Sequence, residues 1–174
     1  MKKLVVVAVF ALVSFNLSAQ DGGQTDKGSW LLEANTGFGG PGGRSANTSF
    51  RLTTIDGDVT YNLGFEGGYF IMDDLALKVG LGYGDGDNQP STFSYKIGAK
   101  YYVIGRVPFQ LDLAGASIED FDNNPLWLGL QGGYAFFLGD NVSIEPGLRY
   151  NLNLNDDFID SDVFQLNVGF VVHL

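Results

Sequence analysis

The sequence predicts an all-β chain folded as a closed eight-stranded antiparallel up-and-down barrel, and three observations carry that prediction. From Trp30 to Leu174, stretches of about ten residues alternate large apolar side chains with small or polar ones, the period of two that marks strands with one apolar face. The gaps between them are alternately tight turns and longer polar loops, as consecutive antiparallel neighbours require. The third observation is quantity. The apolar faces carry on the order of forty large side chains, whereas the interior of an eight-stranded barrel is only just wide enough to be filled by side chains. Most of them must therefore face outward, and an outward apolar band requires a bilayer, so the barrel is predicted to be transmembrane.

The chain opens with Lys2 and Lys3, an apolar run from Leu4 to Phe15, and then Asn16, Leu17, Ser18, Ala19 and Gln20. The run falls short of the roughly 20 residues that a membrane-spanning helix needs. With small residues at a cleavage point near Ala19 or Gln20, it reads as a cleaved N-terminal signal peptide. The predicted organisation is residues 1–19 as signal peptide, 20–28 as a short N-terminal segment and 29–174 as the barrel domain. With no Cys, the exported chain has neither disulfides nor thiol chemistry. The formal charge of −10 becomes two units more negative once Lys2 and Lys3 are lost. That excludes nucleic acid, which needs clustered cations to bind its phosphates.

The first strand is expected over Ser29 to Gly39 and the second over Asp58 to Ile71, with a turn at Met72, Asp73 and Asp74. In the third, Leu75 to Gly84, the apolar face is Leu75, Leu77, Val79, Leu81 and Tyr83, opposite Ala76, Lys78, Gly80 and Gly82. The fourth, Phe93 to Ile104, sets Phe93, Tyr95, Ile97, Ala99, Tyr101 and Val103 against Lys96, Gly98 and Lys100; Gly105 and Arg106 turn the chain. The fifth spans Pro108 to Ser117, and the sixth spans Leu126 to Leu138, ending at a turn of Gly139, Asp140 and Asn141. The seventh, Val142 to Asn153, contains Pro146, which cannot donate a ladder hydrogen bond. A bulge or broken pairing is predicted there. The eighth, Val163 to Leu174, alternates Phe164, Leu166, Val168, Phe170, Val172 and Leu174 with Gln165, Asn167, Gly169 and His173. Thr48 to Ile55 followed by Asp56–Gly57 reads as one arm of a hairpin, extending the first long loop rather than adding a ninth strand.

Aromatic residues gather near strand ends, where rings bury their bodies in lipid and keep polar tips in the headgroups. Trp30, Tyr69, Tyr101, Phe109, Phe136 and Phe170 mark one rim; Phe38, Tyr61, Tyr83, Phe93, Tyr150 and Phe164 mark the other. The opposite face is rich in glycine, which suits a crowded interior. By the same alternation it carries Glu33, Glu66, Asp112 and Glu145 against Lys78, Lys96, Lys100 and Arg149. An unpaired ion there would lose hydration without compensation, so these eight are expected to form a structural lumen ion-pair network. The alternative is a narrow small-solute channel, for which the network would have to rearrange.

These features resemble the small outer-membrane β-barrels of Gram-negative bacteria, of the OmpA membrane-domain and OmpX kind. Gly68 to Gly84, GYFIMDDLALKVGLGYG, looks like that group's first periplasmic hairpin, and FQLNVGFVVHL is similar to its assembly-recognised terminal strand, although it ends in Leu174 where Phe is usual. The resemblance implies a location in the bacterial outer membrane, with lipid and lipopolysaccharide as surroundings and the barrel-assembly machinery as a partner during insertion. It also implies a monomer acting in envelope structure or surface contact through its loops. Enzymatic barrels of this size carry a His with Ser or Asp near the outer rim. Here His173 lies at the periplasmic end of the last strand, with no Ser beside it on that strand, and reads as an interfacial side chain. No catalysis, cofactor or His–Cys metal site is expected. Gly39 to Gly43 is a flexible loop with no helix behind it to cradle phosphate. The long loops are acidic: Asp85 and Asp87; Glu119, Asp120 and Asp122; Asp156, Asp157, Asp160 and Asp162. Such carboxylates read as solvated loops, or as ligands for divalent cations such as Ca²⁺. Gly28, Ser29 and Trp30 match the Gly-x-Trp of lipocalins. They keep open a soluble carrier of an apolar ligand, in which the apolar faces would point inward.

Overall fold

The computed structural model describes residues 23–38, 51–87, 89–158 and 161–174. The signal peptide expected over 1–19, the Gly39 to Gly43 loop, Thr48 to Phe50 and Asp160 lie outside the described residues, as does the Phe38 side chain. The strands are β1 (Trp30–Phe38), β2 (Arg51–Ile55), β3 (Asp58–Met72), β4 (Leu75–Gly86), β5 (Gln89–Val103), β6 (Val107–Ile118), β7 (Leu126–Gly133), β8 (Phe136–Phe137), β9 (Val142–Asn153) and β10 (Val163–His173). All pairings are antiparallel, and β1 pairs with both β10 and β3, which closes the cylinder. β4 and β5 reach beyond the alternating residues, to Gly86 paired with Gln89, because a ladder needs only backbone once the strands leave the apolar band.

Ten strands make eight staves. β2 is not a stave: it folds back through Asp56 (φ 51°) and Gly57 (φ 95°) onto the outer end of β3, pairing Arg51 to Ile55 with Asn62 to Asp58. Two successive left-handed residues are what a two-residue hairpin turn demands, and Asp-Gly supplies them cheaply. β7 and β8 form one stave interrupted at Tyr134 and Ala135, opposite Pro146. Tyr134 N donates to Pro146 O at 3.1 Å, but Pro146 has no N–H to return. Pairing resumes at Phe136 with Ile144, while on the other side Val168 stays opposite Pro146 within an unbroken ladder. The proline therefore removes a rung without adding a bulge.

One row of cross-strand partners shows how the wall is tilted. Leu31, Gly68, Lys78, Gly98, Asp112, Gly129, Asn151 and Val163 are successive neighbours around the cylinder. The row begins beside the short turns and ends at the start of β10, so one circuit climbs from one end to the other, the stagger that closure requires.

The faces separate cleanly. Leu77, Ile97 and Leu130 are 51%, 60% and 46% exposed, whereas Lys78, Lys96 and Arg149 are 2%, 4% and 0% exposed. A soluble carrier needs the reverse, so the lipocalin-like alternative is overturned: the interior is too polar and too full for an apolar guest. Trp30 points outward, its ring tilted against that of Tyr69 at 4.9 Å between centroids.

Candidate functional site: the filled lumen and the loop end

Alternation brings all eight candidate side chains into the lumen, none of them more than 4% exposed. Six form a linear chain of alternating charge. Glu145 meets Lys100 at 2.5 Å, Lys100 meets Glu33 at 2.8 Å, Glu33 meets Lys78 at 2.6 Å, Lys78 meets Glu66 at 2.8 Å, and Glu66 meets Lys96. Each interior member touches two opposite charges; the ends are the carboxylate of Glu145 and the ammonium of Lys96. At its acidic end, Glu145 accepts hydrogen bonds from the Tyr102 and Ser143 hydroxyls, both 2.9 Å.

The remaining two candidates form a separate fork. Arg149 holds Asp112 through both terminal nitrogens at 2.7 and 2.6 Å, the bidentate geometry that makes Arg–carboxylate pairs directional. Gln110 joins fork to chain, accepting from Lys78 Nζ at 2.8 Å and donating to Asp112 at 2.6 Å. Amides fill in around the charges: Asn35 donates to Glu33 at 2.8 Å, and Arg149 Nε donates to Asn151, which donates to Gln165. Such satisfaction is what makes buried charge tolerable.

Glycine makes the space. In the inclined row above, a Cβ at Gly68 would come within 2.9 Å of Leu31 and 3.0 Å of Lys78. At Gly98 it would collide with Asp112, and at Gly129 with the Arg149 guanidinium. From Leu31 to Asn151 large and absent side chains alternate along this row, so Lys78, Asp112 and the Arg149 guanidinium lie against bare stretches of wall.

A second filled region was not anticipated. At the end bearing the short turns, Leu31, Phe70, Ala76, Tyr102, Ala135 and Val171 form a buried apolar cluster with Phe137 packed against it. His173 is part of this plug rather than an interfacial side chain: it is 2% exposed, with its ring centroid 5.4 Å from that of Phe137 and 6.1 Å from that of Tyr102. Its Nδ1 donates to the Gln24 carbonyl at 2.9 Å, and its Nε2 lies 3.1 Å from Ser143 Oγ on the adjacent strand β9. Strand-by-strand reading could not see that neighbour. The segment from Gly23 to Ser29 crosses this mouth: Thr25 Oγ1 donates to Asp74 at 2.5 Å, Gly28 N donates to Phe70 O, and Lys27 N donates to Asp73. A sequence signal for the plug did exist. Beside each short turn, and at the C-terminal end of β10, the alternation gives way to adjacent apolar residues, Tyr69–Phe70–Ile71, Tyr101–Tyr102–Val103, Phe136–Phe137 and Phe170–Val171–Val172, which places apolar groups on both faces.

At the opposite, loop end, Trp127 turns inward and is buried beside Ala114. The loop carboxylates are used locally: Asp87 accepts from Val59 N, and Asp162 accepts from the Tyr150 hydroxyl at 2.6 Å and Asn153 N at 2.9 Å. The Tyr150 hydrogen bond, then that from Asn153, holds the Asp162 carboxyl below the usual carboxylate range. Among the described residues no three acidic, His or Cys side chains group so as to hold a metal ion.

No protein-family model matches the chain, and no curated protein matches it. Solved structures do. The N-terminal β-barrel domain of Pseudomonas aeruginosa OprF is similar at 16% identity and a TM-score of 0.55, covering 85% of this chain and 98% of that one. The outer membrane protein AlkL, solved in lipid bilayers, is similar at 14% identity and a TM-score of 0.50, covering 92% and 96%. At such identities the likeness concerns fold alone. With its outward apolar band and closed eight-stave wall, the chain has the fold of the small outer-membrane β-barrels of the OmpA membrane-domain and OmpX kind.

Proposed function

We propose that this protein is an integral outer-membrane barrel that conducts no solute, catalyses no reaction and serves the envelope through the surface its loops present. The observation that carries the reading is the filled cross-section. The apolar plug and the strap from Gly23 to Ser29 cover one mouth, and above them the charge chain and the Arg149–Asp112 fork occupy the lumen. A solute would have to separate buried ions, and stranding one such ion costs about 3–5 kcal/mol. Lipid and lipopolysaccharide surround the wall, and the barrel-assembly machinery inserts it.

Two measurements test this. Unboiled protein on a detergent gel should migrate differently from boiled protein, since a closed barrel survives the detergent; extraction into buffer without detergent would sink the membrane assignment. Purified protein in a planar bilayer should show no steady single-channel current. Such a current would favour the channel alternative.

A further inference from the structure

The described residues of the loops linking β6 to β7 and β9 to β10 are joined into one platform. Leu154 N donates to Leu126 O at 2.9 Å and Asn155 Nδ2 donates to Asn124 O at 2.8 Å, while Ile118 N donates to Asn124 Oδ1 at 2.8 Å. Asp120 adopts a left-handed φ of 63° that turns its loop. The two loops meet through the rings of Phe121 and Phe158, whose centroids are 6.1 Å apart. Phe121 remains 41% exposed and Phe158 is half-buried. Glu119, Asp120, Asp122, Asp156 and Asp157 around them are all exposed, and neither loop contains Lys or Arg.

A loop needs no aromatic ring to remain soluble. Two phenylalanines brought together on a braced surface and rimmed, among the described residues, by one sign of charge have the anatomy of an interface: an apolar centre with a polar rim. The rim selects the occupant. Lipopolysaccharide phosphates are repelled, whereas a cationic polypeptide relieves the mutual repulsion of the carboxylates while its apolar side chain covers the rings. Because the hydrogen bonds already hold both loops, little ordering remains to be done on binding.

We propose that the Phe121–Phe158 platform docks a cationic polypeptide through one aromatic or large apolar side chain flanked by Arg or Lys. The proposal deepens the reading above and rests on the loop end facing the cell exterior. The test uses the whole protein in phosphatidylcholine nanodiscs and two fluorescein-labelled nine-residue peptides of Arg and Ser, one with a central Trp and one with Ser in its place. Fluorescence anisotropy should show the Trp peptide binding. Removing the Trp, or substituting Phe121→Ser with Phe158→Ser, should weaken it by about tenfold or more, the effect of losing a central aromatic contact. Substituting Asp120, Asp122, Asp156 and Asp157 by Asn should abolish binding of both peptides. If the Phe substitutions leave the affinity unchanged, attraction is charge alone and the platform is overturned. No binding by discs whose protein still shows heat-modifiable migration overturns the platform and leaves the barrel standing. Protein that stays soluble without lipid or detergent overturns both.

Discussion

The same cylinder is filled by two different chemistries. In its middle, ions from six of the eight staves are paired and hydrogen-bonded, each to one or two partners of opposite charge. Beside the short turns, rings and aliphatic groups pack together and meet the ions at Tyr102, whose hydroxyl donates to Glu145 and whose ring lies beside the Lys100 ammonium. The difference teaches what each region can lose. A charge network fails when one partner is removed and its mate is stranded, yet tolerates removal of the pair. The purely apolar members of the plug, such as Phe70, have no mates to strand and respond to volume.

The sharpest break is Arg149→Met. It leaves Asp112 buried without its fork, and should cost about 4 kcal/mol, read as a lowered urea midpoint in lipid vesicles. Adding Asp112→Leu should recover most of that loss; a double variant as weak as the single one would mean that the fork acts through shape rather than charge. Phe70→Ala, in the plug, should cost about 3 kcal/mol in the same assay, and no second apolar-to-polar change nearby should rescue it. Gly129→Ala tests whether the ions depend on the bare wall: its methyl would occupy the position of the Arg149 guanidinium. The expected loss is about 2 kcal/mol, accompanied by shifted guanidinium resonances in NMR spectra. The smallest effect lies at the loop end. The Asp162 carboxyl is held below its usual range by Tyr150 and Asn153, so its contribution is complete above the ordinary Asp value of about 4 and fades as pH falls through the lowered one. Amide exchange in the loop from Leu154 to Asp162 should quicken over that interval while the β9–β10 ladder stays protected. An Asp162→Asn variant should show fast loop exchange at neutral pH as well.

Legibility followed period. Lys78 and Lys96 sit two-residue steps from Gly80 and Gly98, opposite Leu77 and Ile97, so their side of the wall follows from strand geometry alone. Pro146 was readable for the same local reason, a missing N–H, though whether the wall would bulge or drop a rung depended on the strands either side. His173 was misread because its setting is made by others: Ser143 and Tyr102 come from separate strands, and Gln24 from the segment before β1. The plug was overlooked where apolar residues fall on both faces, since alternation carries no information once it stops alternating.

What the chain determines by itself is the side of the wall on which each strand residue stands, because a strand has only two faces and the count of apolar groups exceeds what an interior can hold. That yields the barrel, its outward band and the list of inward charges. Which inward charge touches which is set by register and tilt, accumulated around eight staves, and those sums involve residues far apart in sequence. Lys100 meets both Glu33 and Glu145, Arg149 meets Asp112, and two loop phenylalanines meet each other, because closing the cylinder brings distant strands to one height.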